Sequence, residues 1–446
     1  MAEILDIARS LAANARDGEE VEVVIGRGVE TEIRVYRGEI ESLTQASSAD
    51  AGIRIIVDHR VGFATAGSVD PEELARTLAK ARENAGYALG DPANGLARPD
   101  GHPSCRLELA SPSFGDASLE EKILLAKETE RGLFARDRRV ADVQHTAYAD
   151  ARTEFAIASS TGVEVHQDRT TAYLVSEAVA GDGGAPQTGF GYSVGRALED
   201  LDPEEVIGEA ADLAIGLLGA KKPASGRVQA LFAPRMAATL LSILGGALSA
   251  SSVSRGRSIF AGRVGEQVAA ACFDLADDPT DANFFRASAF DGEGLATRRN
   301  QLIAGGVLTE LLFDSYNARE QGRSSNASAL RGALSLPSPG PRALALRPGT
   351  RSPEEIVAGI DDGVLVQSMS GVHSGVNAVS GDFSVGIEGM RIANGALAEP
   401  IREATLSSSL QRILAGVIAI GSDLRYLPSA AAGVSLLIDE MSLGGS

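Results

Sequence analysis

Residues 371–389 read Gly-Val-His-Ser-Gly-Val-Asn-Ala-Val-Ser-Gly-Asp-Phe-Ser-Val-Gly-Ile-Glu-Gly and hold His373, the last histidine of the chain. Small and polar side chains crowd together there without a helical or strand period. Gly371, Gly375, Gly381 and Gly386 allow positive φ or close backbone approach. A loop that only crosses a surface does not need this chemistry. The obvious reactions do poorly on these residues. His373 and Ser374 are adjacent, so in a strand their side chains would point to opposite faces, a poor geometry for proton transfer. No Gly-x-Ser-x-Gly elbow surrounds Ser374 or Ser384, because Val372 and Asp382 stand two residues before them. The five histidines (His59, His102, His145, His166, His373) include no pair at i, i+3 or i+4. Asp274, Asp277, Asp278 and Asp281 could hold a divalent cation, but they lack the glycine and spacing of an EF-hand loop and read better as a solvated loop. Gly26-x-Gly28 has no third glycine and no following helix, so it is not a dinucleotide fingerprint.

A chain of 446 residues exceeds one ordinary core, and we expect two domains, 1–222 and 227–446, joined through Lys221–Gly226. The net charge is −19, and the part up to Lys222 carries most of it, with 23 basic and 39 acidic residues. Such a chain repels nucleic-acid phosphates. Two cysteines make no disulfide framework, the start is an amphipathic helix pattern over 4–15 and not a signal peptide, and no apolar run is long enough for a membrane span. A soluble, cytoplasmic protein is expected, with no nucleic-acid or membrane partner.

The elements that must position these residues follow from period and punctuation. Alternation at Val29–Tyr36 predicts a strand, and Gly52–Val57 with Gly62–Ala66 a hairpin. Asp70-Pro-Glu-Glu, Asp202-Pro-Glu-Glu and Ser352-Pro-Glu-Glu each open a helix, with the second Glu placed for a capping box. A further helix is expected over 119–135. Strands are expected near 140–149, 153–159, 163–168 and 171–180, with a turn at Thr161-Gly162. Past the linker come a strand at 228–232, an Ala/Leu-rich helix at 234–252, and short strands with glycine-rich turns. Asn394-Gly395 marks a hairpin. The fold class is α+β: an N-terminal domain mixing antiparallel strands with helices, and a mostly-β C-terminal domain with one buried helix.

The 371–389 stretch closely resembles the HSGVNPVSGDFSVGAEG signature of the TldE/PmbA family. Asp291-Gly292-Glu293-Gly294 resembles that family's D-x-E-G turn, Leu311–Arg319 its L-Y-D-x-Y-S-A-R run, and Arg402-Glu403-Ala404-Thr405 and Gly421-Ser422-Asp423 its REAT and GSD motifs. The resemblance implies a PmbA/TldD-like fold and a subunit that pairs with a separate TldD-like chain. That partner carries zinc on a His-Glu-x-x-x-His helix with a later cysteine. It also implies proteolysis of small or unfolded peptides, extending in some members to peptide maturation and natural-product pathways. Aligned on Leu240-Leu241, the helix here places Ser242 and Ala247 where the histidines would stand and Ile243 where the glutamate would stand. Arg227–Gly265 contains no His, Asp, Glu or Cys, so no metal and no catalytic residue is expected in this chain.

Two roles for 371–389 then compete. In one, the loop lines a cleft shared with the partner. Its backbone pairs with an extended peptide, Asn377 and Asp382 supply hydrogen bonds, Phe383 an apolar wall, and His373, Ser374 and Ser380 complete the surface. In the other it is a tight internal turn, with Phe383 inward and His373 satisfied in the core. Asp291 and Glu293 carry the same two readings. An independent peptide-binding or hydrolase-like homodimer, and a purely structural scaffold, are the alternatives.

Overall fold

Ile4, Ala8 and Ala12 form the buried stripe of α1 (Glu3–Ala12), as their spacing predicts. The computed structural model describes residues 3–181 and 185–445. Three long strands follow α1: β1 (Glu19–Tyr36), β2 (Glu39–Val57) and β3 (Arg60–Ala66). Then come α2 (Pro71–Tyr87), α3 (Leu119–Arg136), β4 (Val140–Ser159), β5 (Glu164–Ala180), β6 (Gln187–Gly195) and α4 (Pro203–Gly216). The six strands make one antiparallel sheet in the order β3-β2-β1-β4-β5-β6.

β4 and β5 run unbroken where the polar stretches near 150 and 169 predict interruptions. Asp150, buried in β4, accepts a hydrogen bond from the Tyr148 hydroxyl (2.7 Å) and an ion pair from Lys122 of α3 (2.5 Å). A charge that would break an isolated strand is thus satisfied by a helix packed across it, and tertiary context overrides local propensity.

Period two divides this sheet by function. Val21, Val23 and Ile25 of β1 pack under α1 and α2, and Ile33 and Val35 pack with residues of α3 and α4. In the first half of β1, Glu22, Val24 and Gly26 face the other way, toward the second unit. There Val24 clusters with Ile157 and Val163, and Ala333 of the second unit packs on them.

The second unit begins with β7 (Gly226–Phe232) and α5 (Pro234–Ala247). After short strands and turns come β8 (Asp362–Ser370), β9 (Asp382–Ala393), β10 (Ala396–Ser409), β11 (Val417–Ile420) and β12 (Leu436–Gly444). Their order is β10-β9-β8-β7-β12-β11, and β10 also pairs with β12 at Thr405–Gly444, Leu406–Leu443 and Ser407–Ser442. That extra pairing closes five strands into a barrel and removes their free edges. The fold is α+β throughout.

Local signals are honoured unevenly. Asn394 (φ 51°) and Gly395 (φ 76°) make the predicted two-residue hairpin turn. All three Pro-Glu-Glu helices are capped by the expected residue, but the capping box closes only at Ser352, with Glu355. At Asp70 the cap is itself a carboxylate, and Glu73 turns instead to the Ser68 hydroxyl (2.6 Å). α5 stops at Ala247, short of the expected 252, and a separate turn of helix spans Ala250–Ser254. The break occurs because Leu312 takes the Ala250 N–H (2.9 Å) and gives its own N–H to Leu248 (3.0 Å). The Lys221–Gly226 linker is tied down: Lys221 donates to the Pro400 carbonyl (3.2 Å) and accepts from Arg402 N–H (3.1 Å).

Gly52 marks how closely the two units approach. A Cβ there would lie 2.0 Å from the Ala333 carbonyl oxygen, and backbone cannot step aside as a side chain can. Gly52→Ala should therefore destabilise the protein by about 2 kcal/mol in urea denaturation; an unchanged midpoint would mean that the units do not meet at this strand.

Candidate functional site

α5 is built from Ala, Leu and Gly, and it buries Met236, Ala237, Leu240, Leu241, Leu244 and Ala247. Ser242 donates its hydroxyl to the Ala238 carbonyl one turn back (2.9 Å). Ile243 packs half-buried against the core, and Ala247 is 1% exposed. Ser242, Ala238 and Thr239 line an apolar cavity of about 260 Å³, whose opposite wall is Tyr173 and Val175 of β5 and Tyr192 of β6. Arg235 lies over the Tyr192 ring (4.5 Å) and pairs with Glu209 (3.0 Å), so its charge is already engaged. A hydroxyl bonded to its own helix, a methyl and an isoleucine are not a zinc donor set, and the residues of α5 do not fit that metal. Among the described residues no three His, Cys, Asp or Glu side chains are grouped to hold an ion. The acidic run is spent within the protein. Asp274 pairs with Arg347, Asp278 accepts from Thr280 (2.5 Å), and Asp281 accepts from Asn283 (2.8 Å).

The 371–389 stretch is a short helix (Val372–Gly375), a turn and the start of β9. His373, Ser374, Asn377, Ser380 and Asp382 are exposed, so His373 is not a core histidine. The turn is held by its own side chains. Asn377 Oδ1 accepts from the N–H groups of Val379 (2.9 Å) and Ser380 (3.3 Å), and Asp382 accepts from the Ser380 hydroxyl (2.6 Å). Gly381, at φ 87°, donates to the Asn377 carbonyl (2.8 Å) in a conformation that disfavours other residues. Phe383, a cleft wall in one of the two readings and inward in the other, is 1% exposed and belongs to the main core of the second unit. Its strand alternates, so the residue after the turn points inward. Val379, by contrast, is 52% exposed.

Asp291 and Glu293 are both buried, in a place that sequence spacing does not suggest. Glu22 of β1 receives a bidentate hydrogen bond from Arg54 of β2 (3.0 and 2.9 Å) and an ion pair from Arg331 of the second unit. Glu293 comes within 3.6 Å of the same Arg54 and accepts from Ser315 N–H (2.7 Å). Asp291 accepts from the N–H groups of Glu293 and Leu295 (both 2.9 Å) and of Ala329 (3.1 Å). Asp314 caps the 315–320 helix through Asn317 N–H (2.8 Å). Beyond it Tyr316 donates to Asp91 (2.8 Å) and Arg319 to the Ala93 carbonyl (2.7 Å). The D-G-E-G turn and the Leu311–Arg319 run thus meet the first sheet and the segment after α2. Glu22, Arg54 and Arg331 escaped the sequence reading. The available signal was a lone charge inside each of the apolar runs Val21–Ile25 and Ile53–Val57, which implies burial on both faces and a counter-charge.

Burial, and then the neighbouring Glu293, push Asp291 up to about 7. Burial pushes Asp277 up to about 6, against hydrogen bonds from the N–H groups of Ala343 and Arg342.

This architecture and site belong to a known class. The model of the PmbA/TldA metallopeptidase domain 1 matches residues 21–85, that of the central domain 112–218, and that of the C-terminal domain 225–445. The chain belongs to the PmbA/TldD metallopeptidase family. Among individual proteins, it is 27% identical over 446 residues to the metalloprotease PmbA of Escherichia coli, covering 99% of this chain and 96% of that one. It is 27% identical to a metalloprotease of Methanothermobacter thermautotrophicus, covering 91% and 89%. A Thermotoga maritima protein named for modulation of a DNA gyrase superposes with a TM-score of 0.90 at 26% identity, over 98% of this chain and 99% of that one. TldE of Thermococcus kodakarensis shares the fold, with a TM-score of 0.89 at 24% identity over 99% of each chain. The family models divide the region before Lys222 in two, yet both parts add strands to one continuous sheet.

Two outcomes follow from the buried charges. Arg54→Met, which leaves Glu22 and Glu293 short of a cation, should cost about 3–5 kcal/mol by chemical denaturation. Asp277 in the folded chain holds its proton to about 6, well above its value of 3.8 when unfolded. The folded state therefore binds the extra proton between those values, and stability falls as pH rises through them. Asp277→Asn should remove that part of the slope in denaturation between pH 4 and pH 7; parallel profiles would contradict the assignment.

Proposed function

We propose that this chain is the non-catalytic, TldE-type subunit of a two-chain zinc peptidase. It pairs with a TldD-like subunit that supplies the metal, and the pair cleaves small or unfolded peptides in the cell interior. The observation that carries the reading is α5. Its hydroxyl, isoleucine and alanine stand where the ligand helix of a working peptidase needs imidazoles and a carboxylate, and no histidine, acid or cysteine lies near enough in sequence to replace them. No helix among the described residues is long and apolar enough to cross a membrane.

In this reading the 371–382 turn is a contact surface toward the partner or its peptide. Its exposed members are His373, Ser374, Asn377, Ser380 and Asp382, with Val379 as an apolar point among them. The support is a turn made rigid by its own hydrogen bonds, so that little order is lost on docking. Phe383 anchors that turn in the core, and Asp291 and Glu293 serve elsewhere, where the two units meet.

The chain should purify without stoichiometric zinc and should not cleave unfolded peptides. Peptidase activity sensitive to a chelator should appear when a TldD-like chain from the same genome is added. Stoichiometric zinc with cleavage by the chain alone would overturn the reading. For the turn, Val379→Asp and His373→Ala should change stability by no more than about 0.5 kcal/mol yet weaken co-purification with the partner. Undiminished co-purification would remove the turn from the interface.

A further inference from the structure

The sheet face that meets the second unit does not close everywhere. A cavity of about 450 Å³ opens between strands β1, β2, β4 and β5 on one side and the turns around 285–292 and 331–342 on the other. A second cavity of about 430 Å³ shares Arg286, Arg331 and Arg342 with it, and Arg169 of β5 lines the first. Five guanidinium groups line the two cavities, with Arg27 the fifth, in a chain whose net charge is −19.

Of these charges, those on Arg169 and Arg286 have no ion pair among the described residues. Arg169 donates to the carbonyls of Phe285 and Ala287, which satisfy its N–H groups but carry no charge. Arg342 donates to the Ala329 carbonyl at 3.5 Å and likewise makes no ion pair among the described residues, though Asp291 and Asp277 lie near enough to act on its charge. Arg286 has neither a side-chain hydrogen bond nor an ion pair among the described residues. Arg331 is paired with Glu22, but its Nη2 is buried without a partner. The carboxylates along the same walls are mostly committed. Glu154 pairs with Arg27 (2.6 Å), and Asp291 accepts three backbone N–H groups. Asp50 is the remaining acid in the lining. Burial and then the repulsion of Arg196, Arg342 and Arg286 hold Arg169 down to about 9. Charges kept together at this cost, with apolar Phe155, Phe285 and Phe290 beside them, are relieved by an anion that brings its own oxygen acceptors.

We propose that this cleft binds a small ligand bearing an oxyanion, a carboxylate or a phosphate on a partly apolar body, with Arg169, Arg286 and Arg342 as its cradle. Guanidinium forks fit planar carboxylate and phosphate oxygens bidentately. The rings and aliphatic walls suit the body of a short peptide or a comparable organic group. The site lies on this chain alone, so it does not depend on the partner-subunit reading.

Calorimetry on the purified full chain at low salt tests it with three probes: acetyl-trialanine as the free acid, the same peptide as its amide, and inorganic phosphate. The acid, the phosphate or both should bind, and the amide should bind at least about tenfold more weakly than the acid. Binding of the acid alone assigns a peptide carboxyl terminus, of phosphate alone a phosphoryl group, and of both a general oxyanion site. Arg286→Gln, at an exposed position, should weaken binding about tenfold. Arg342→Gln, with its fold checked by thermal melting, should do the same. Arg263→Gln, which removes an equal charge from a pair with Glu266 elsewhere, should leave binding unchanged. The proposal fails if neither anion binds at millimolar concentration, if Arg286→Gln binds like the parent, or if Arg263→Gln loses as much.

Discussion

The structure turns on one buried ionic group: Glu22 and Arg54 on neighbouring strands of the first sheet, met by Arg331 and Glu293 from the second unit. All four side chains are nearly excluded from solvent. Removing such charges from water is expensive, and an apolar replacement of similar shape is often as stable or more so. What the group supplies is specification. Glu22 and Arg54 can be satisfied together only if the D-G-E-G turn and Arg331 arrive in one register. Desolvation opposes ionisation of Glu22, but the two arginines outweigh it and hold its carboxyl below the ordinary carboxylate range. Glu293 shifts the other way because burial dominates and Asp314 adds to it, against the pull of Arg54.

That lock changes how the motifs of the C-terminal half are understood. Asp291, Glu293, Asp314, Tyr316 and Arg319 hold two units together and orient backbone through their hydrogen bonds. The Gly421-Ser422-Asp423 turn works in the same way, with Asp423 accepting from both the N–H (3.1 Å) and the hydroxyl (2.7 Å) of Ser435. The 371–382 turn differs. Asn377 and Asp382 bond within the turn, Leu410 and Ile259 donate to the carbonyls of Gly381 and Ala378, and the polar side chains remain at the surface. α5 completes the contrast, since the helix that would grip a cation instead frames an apolar cavity. A member of a metallopeptidase family can thus keep the architecture with an α5 whose residues do not fit a metal.

Much of this was legible in the sequence where the cause is local. The Asn394-Gly395 hairpin, the three proline-started helices and the amphipathic first helix follow from backbone preference and period. The lack of ligands along α5 is likewise a matter of composition. What could not be read depends on partners far away in sequence. β4 continues through Asp150 because Lys122 reaches it, and α5 ends early because Leu312 bridges to its last turn. Arg54 needs Glu22, Glu293 and Arg331, and the arginines of the cleft come from segments as far apart as positions 169 and 342. Phe383 admits both a cleft-wall and an inward reading because the glycine-rich turn before it has no period, and the pleat of β9 sends it inward.

The claim at the centre of this account is that any zinc in the active assembly is held by side chains of another polypeptide. Anomalous scattering at the zinc edge from crystals of the two-chain complex locates the ion without reference to activity. The account predicts a peak within bonding distance of histidine and cysteine side chains of the TldD-like subunit, with no atom of α5 coordinated to it. A peak coordinated by side chains of this chain would contradict it.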